Sequence, residues 1–172
     1  RLFIYNNLSC NDVSSFNTSN VKSMGHMFAG SYVINDIDVS HFNTDNVTDM
    51  SGMFATCQNL TSLDLANFNT SNVTSMAGMF LNCPELTEVN VSSFNTSNVK
   101  NMRFMFARCE KLTSLDLSNF DTHNVTQMDS LFYGSDVRSF QISYVEEDIR
   151  YIAFKPSTTS NSQLKTIYVS DL

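Results

Sequence analysis

The 172-residue sequence has no tryptophan, only two prolines and only five glycines. Its turns therefore fall to Asn, Asp, Ser and Thr, whose short polar side chains bond the local backbone. Basic residues are few, ten Lys and Arg against seventeen Asp and Glu, for a formal charge of -7. That balance disfavours a nucleic-acid partner held through its phosphates. No apolar run reaches the roughly 20 residues that cross a bilayer. The opening stretch RLFIYNNLSCND lacks the charged, apolar and small-residue regions of a secretion signal, so the chain is expected to be part of something larger. Cys10, Cys57, Cys83 and Cys109 form no CxxC pair and have no His at ligand spacing, which argues against zinc and leaves no cofactor or metal to assign. At 42% hydrophobic residues the chain still has the material for a folded interior.

What is present is one phrase written five times. FNTSNVKSM opens at Phe16, FNTDNVTDM at Phe42, FNTSNVTSM at Phe68, FNTSNVKNM at Phe94 and FDTHNVTQM at Phe120, each 26 residues after the last. A period this strict predicts stacked coils, each of which cannot bury its apolar face alone. In the coil that starts at Phe68 the apolar residues are Phe68, Val73, Met76, Met79, Phe80, Cys83, Leu86, Val89 and Val91. From Val73 to Cys83 their spacing of three, three, one and three predicts a short helix. Asn72 or Ser71 would cap it, Asn46 and Asp49 resemble a capping box in the preceding coil, and Pro84 would end it. The stretch LTSLDL, Leu60 to Leu65, carries the alternation of a strand.

The predicted fold class is thus α/β: a leucine-rich-repeat-like solenoid with one short parallel strand and one short helix per 26-residue coil, bent into an arc. A single solenoid domain would span 1–172, with a partial coil at 1–15, regular coils over 16–143, an irregular loop or imperfect coil at 144–163 and a truncated coil at 164–172. After Phe132 the strand slots slip by one, to Val137, Phe140 and Ile142, and LKTIYV at Leu164–Val169 resumes the rhythm.

The unit LTSLDLANFNTSNVTSMAGMFLNC resembles the repeat of BspA-like leucine-rich-repeat bacterial surface proteins, which also occurs in mycoplasma surface lipoproteins. The NTSNV phrase, the MF pair and the Cys recur together over almost the whole chain. The departures are Ser31 and Ser135 in the Cys slot, Leu131 in place of the second Met, and residues 144–163. The resemblance implies an extracellular place on a bacterial cell surface, with signal and anchor outside this segment. It implies adhesion or host interaction, and no defined ligand.

Several files of equivalent residues invite both a structural and a functional reading. Thr18, Thr44, Thr70, Thr96 and Thr122, with Asn20, Asn46, Asn72, Asn98 and Asn124, read as turn and cap chemistry. Their N-x-S/T triplets also spell glycosylation acceptors, and an ice-binding role would need Thr on a strand face instead. Cys57, Cys83 and Cys109 share an interior slot and read as free buried thiols, since parallel side chains in register make poor disulfides. On the outward strand face stand Asp12, Asp38, Asp64, Asn90 and Asp116, either a carboxylate strip suited to cationic proteins, glycans or weakly held calcium, or a solvated file bonded to its neighbours. Four of the ten basic residues cluster in one coil as Lys100, Arg103, Arg108 and Lys111 around Phe104, where other coils carry His26, Gly52, Gly78 and Ser130. That patch reads as a contact for a protein or polysaccharide, or as helix-end complementation by Arg108 and Lys111 with ordinary surface at Lys100.

His26, His41 and His123 occupy unrelated offsets with no matched Ser or Cys nucleophile and no phosphate loop. The expectation is a non-enzymatic binding module with a host or neighbouring-cell protein or glycan as partner, no nucleic acid and no membrane span. A structural spacer that presents another domain is the alternative.

Overall fold

The repeated threonine ties each coil to the next. In the computed structural model, which describes residues 12–137 and the backbone of 139–142 and 166–169, the Thr44 hydroxyl donates to the Asn69 carbonyl (3.0 Å) and accepts from the Asn69 amide (2.8 Å). Thr70 treats Asn95 in the same way at 2.9 and 2.8 Å, and Thr96 treats Asp121 so at 2.8 and 2.8 Å. One hydroxyl thereby satisfies both backbone groups of a residue in the following coil. Thr18, Thr44, Thr70, Thr96 and Thr122 are exposed by 4% or less, and a hydroxyl buried that far takes its partner from within the protein. The asparagine just before Val47, Val73, Val99 and Val125 points the other way: Asn46, Asn72, Asn98 and Asn124 donate to the Ser19, Asp45, Ser71 and Ser97 carbonyls of the preceding coil at 2.7–3.0 Å.

The strands are short. They are β1 (Ser62–Asp64), β2 (Glu88–Asn90), β3 (Ser114–Leu117), β4 (Ser139–Ile142) and β5 (Thr166–Val169), and every pairing between them is parallel. β1 pairs with β2, placing Leu63 opposite Val89. β3, β4 and β5 form a second run, with Leu115 opposite Phe140 and Phe140 opposite Ile167. The step from Leu115 to Phe140 is one residue shorter than the repeat, the same slip that the apolar slots carry. A further parallel ladder joins Ser23, Asp49, Ser75, Asn101 and Gln127, one residue per coil.

The helix expected over Val73–Cys83 does not form; no helix occurs among the described residues. In its place the amides alternate. Those of Met76, Gly78, Phe80 and Asn82 reach across to the Asn101, Arg103, Met105 and Ala107 carbonyls at 2.7–2.9 Å, while those of Met79 and Leu81 close local turns onto Met76 and Gly78 at 3.1 and 3.0 Å. Beyond its first turn a helix would consume its amides within its own coil, whereas this path leaves half of them for the neighbour. The path requires a left-handed residue at two fixed offsets: His26, Gly52, Gly78, Phe104 and Ser130 at the first, with φ of 56–61°, and Gly30, Thr56, Asn82, Arg108 and Gly134 at the second, with φ of 57–74°. With no helix there, Asn72 is not an N-cap, Pro84 ends no helix, and Arg108 and Lys111 complement no helix terminus. Pro84 instead accepts the Lys111 amide at 3.2 Å.

Equivalent apolar side chains lie in files. Phe28, Phe54, Phe80, Phe106 and Phe132 stack ring on ring at 5.3, 6.0, 5.3 and 5.8 Å, and Phe42 stacks on Phe68 at 6.5 Å and Phe94 on Phe120 at 6.2 Å. Parallel stacks of this kind add roughly 0.5 to 1.5 kcal/mol per pair beyond area burial. Met50, Met53, Met76, Met79, Met102 and Met105 fill the space around them with no exposed surface. Residues 1–11 of the expected partial coil, Cys10 among them, and residues 144–163 lie outside the described residues.

The Cys slot is a donor slot. Cys57, Cys83 and Cys109 are free and buried, and their thiols donate to the Phe28, Phe54 and Phe80 carbonyls at 3.1–3.2 Å. The Ser135 hydroxyl donates to the Phe106 carbonyl in the same way. Serine is therefore a working substitute there, where sequence alone marks it as a departure. Burial pushes the Cys57 and Cys109 thiols up to about 12 from an ordinary value of about 9, and pushes Cys83 well above that value.

Three outcomes follow for solution work. Thr70→Val, which keeps the shape and removes the hydroxyl, is expected to lower unfolding free energy in urea by roughly 1 to 3 kcal/mol, while Thr70→Ser loses far less. With Cys10→Ser as background, Cys57, Cys83 and Cys109 are expected to ignore Ellman's reagent until the chain unfolds. The unfolded chain gives up these protons near pH 9 and the folded chain holds them to higher pH. Stability present below that pH should drain away as pH rises toward 12. Melting curves of a variant with serine at all three positions should show a shallower alkaline fall.

Candidate functional site

The acidic file is built into the turns that follow the strands. The Oδ1 of Asp12, Asp38, Asp64, Asn90 and Asp116 accepts the amide two residues on, from Ser14, Ser40, Ala66, Ser92 and Ser118, at 2.9–3.1 Å. This is the Asx-turn geometry that short carboxylate and amide side chains adopt. Hydrogen bonds from the side chain and then the amide of the serine two residues on hold Asp12, Asp38 and Asp116 below the usual carboxylate range, with His41 adding charge attraction at Asp12 and Asp38. Asn90 interrupts the run of like charges, and its amide donates to Asp64 Oδ1 at 2.9 Å. Among the described residues no group of three or more His, Cys, Asp or Glu is arranged to hold a metal ion. Each member of this file carries a local structural bond, and Asn performs it as well as Asp does.

The basic coil is a different case. Arg103 is exposed; its Nε lies 2.7 Å from Asp129 Oδ1 and 2.8 Å from Asp129 Oδ2, one coil on. Its guanidinium also lies over the Phe104 ring, 5.3 Å from the centroid. Lys111 Nζ reaches back one coil to Glu85 Oε2 at 2.5 Å. Exposed pairs such as these contribute roughly 0 to 1 kcal/mol each. Lys100 is exposed too, and its carbonyl accepts the Thr126 and Gln127 amides. Arg108 is exposed, with its Cγ lying 3.3 Å from where a Cβ on Gly134 would sit. The five predicted residues share one coil, and two of the four cations are engaged in bonds between coils.

The backbone singles out this coil. Phe104 and Arg108 have φ of 56° and 57°, a conformation that costs a side-chain-bearing residue roughly 1 to 2 kcal/mol. The other described coils place Gly or Asn at one of the two left-handed offsets: Gly30, Gly52, Gly78 with Asn82, and Gly134. Here an aromatic ring and a guanidinium occupy both. Sterically costly side chains held in such backbone regions cluster at functional sites.

Sequence reasoning overlooked Tyr133. It is 41% exposed at the offset where other coils carry Ala29, Ala55, Leu81 and Ala107, and its carbonyl accepts the Arg108 amide at 2.7 Å. The signal that could have found it is the one that found Phe104: an aromatic ring where most other coils carry a small residue. The histidines are dispersed. His41 Nε2 lies 2.9 Å from the Val13 carbonyl, His123 Nδ1 lies 2.6 Å from Asp121 Oδ1, and the His26 ring fills the space above Gly52.

A family model matches residues 1–64 and again 55–166, two successive matches such as a repeated unit gives. The chain belongs to the DUF285 family. That family is described as Mycoplasma protein of unknown function. No curated protein and no solved structure matches the chain.

The strain can be measured directly. Arg108→Gly is expected to stabilise the protein by about 1 kcal/mol, read as a rise of a few degrees in melting temperature. Phe104→Gly should melt higher than Phe104→Ala by a similar amount, because both lose the ring and only glycine relieves the backbone.

Proposed function

We propose that this chain is the repeat region of a bacterial surface protein of the BspA-like leucine-rich-repeat kind, a solenoid whose role is non-enzymatic extracellular binding in adhesion or host interaction. The partner is a protein or glycan of a host or neighbouring cell, held by surface area and a few anchors. The observation that carries this reading is the pairing of Phe104 and Arg108 at the two left-handed offsets of one coil, where glycine or asparagine would serve the fold better. Exposed Lys100, Arg103 and Lys111 lie in the same coil of this acidic chain, Arg103 paired with Asp129 and Lys111 with Glu85. Arginine and aromatic side chains are the residue types that anchor interfaces.

The acidic file takes a smaller part in this reading. Asp12, Asp38, Asp64, Asn90 and Asp116 keep their turns closed, and a ligand would meet them as a hydrophilic face. A spacer that presents another domain is the second reading. It is favoured by the bonds within the stack that the threonines, Asn46, Asn72, Asn98, Asn124 and the aspartate file make.

Binding to immobilised extracellular-matrix proteins and a panel of glycans separates the two. The wild-type chain should be retained by at least one of them, and a variant with Lys100→Ala, Arg103→Ala, Phe104→Gly and Arg108→Gly should lose about tenfold or more in affinity. Equal retention of the variant would remove the patch from consideration, and no retention of wild type would leave the spacer.

A further inference from the structure

We infer that Arg108 and Tyr133 form a seat for a single carboxylated sugar at the end of an otherwise neutral glycan. This inference rests on the binding reading above and names the chemistry of its ligand. Arg103 is held by Asp129 and Lys111 by Glu85. No carboxylate among the described residues lies within ion-pair reach of Arg108, whose guanidinium keeps its planar fork of donors for an outside acceptor. Its backbone is held in place by the amide bond to the Tyr133 carbonyl, and the glycine at 134 leaves room for its stem.

The residue whose carbonyl accepts the Arg108 amide decides the class. Tyr133 exposes 41% of its surface beside Arg108, in the slot that Ala107 fills one coil earlier. An exposed ring with a polar tip offers an apolar face for a sugar's C–H groups and a hydroxyl for its oxygens. Carbohydrate with one carboxylate uses both the ring and the fork. An acidic peptide would use a row of free cations, and here two of the four are already paired. A polyanionic glycan is opposed by the net charge of -7.

The test uses the whole chain and four probes: sialyllactose, glucuronic-acid-capped lactose, lactose and triglutamate, with binding followed by NMR titration. Arg108→Gly and Tyr133→Ala each install a residue that other coils carry at the same offset, Gly30 or Gly134 and Ala29, Ala55 or Ala107, so both variants should melt at or above the wild-type temperature. The expected result is that both acidic sugars bind about tenfold or more tighter than lactose, that Arg108→Gly abolishes this preference, and that Tyr133→Ala weakens both sugars about fivefold or more. Arg108→Lys, which keeps charge without the fork, should fall between. The inference is overturned if triglutamate matches the acidic sugars and ignores Tyr133→Ala, which would mark a plain charge contact for acidic peptides. It is overturned equally if Arg108→Gly binds the sugars as wild type does, or if neither sugar binds. Should the sugars fail while the four-site variant still loses a matrix-protein ligand, the seat is wrong and the binding reading survives.

Discussion

Every element of this protein depends on pairing backbone groups between coils. A coil of 26 residues has too few internal contacts to stand alone, since ordering each residue costs roughly 1 to 2 kcal/mol. It therefore spends its amides, carbonyls and short polar side chains on its neighbours. The buried hydroxyl of Thr70, bonded twice to Asn95, is the smallest example. The alternating amides from Met76 to Asn82 are the largest. Once these bonds fix the register, equivalent side chains have no choice but to lie in files, and the phenylalanine stacks and buried methionines follow.

The same constraint divides the surface into committed and uncommitted positions. Asp64 and Asp116 are exposed, but each carries a turn. Thr61 and Thr87 are exposed, but each hydroxyl bonds a carbonyl of the preceding coil, Asn35 or Thr61, at 3.0 Å. Regular polar repetition on this protein is therefore a sign of structural work. Irregularity is the better guide to recognition, and Phe104, Arg108 and Tyr133 stand out because the fold gives no local reason for their size.

The sequence made some of this legible and hid the rest. The files of Phe, Met, Thr and Asp could be read from equal spacing alone, because in a stack equal spacing is equal position. The short strands of Leu63, Val89 and Leu115 could be read from alternation. The helix could not be told from a chain of turns, since spacings of three and four are shared by both. The deciding signal was in the glycines: Gly30, Gly52, Gly78 and Gly134, four of the five in the chain, fall at two offsets, which a helix does not require and a left-handed turn does. The donor role of the Cys slot was visible only through Ser31 and Ser135. The seat at Arg108 was half legible, since the sequence placed the arginine in a cluster but could not set Tyr133 against it across a coil boundary.

The bonds between coils run along the stack, a direction that matters to a protein under load. If tension is applied between its ends, those bonds are loaded in series, and a terminal coil can peel away while the ladder beneath it stays closed. Each freed coil releases roughly 90 Å of extended chain. An array built in this way lengthens stepwise under pulling, and its remaining coils stay folded to bear the next step.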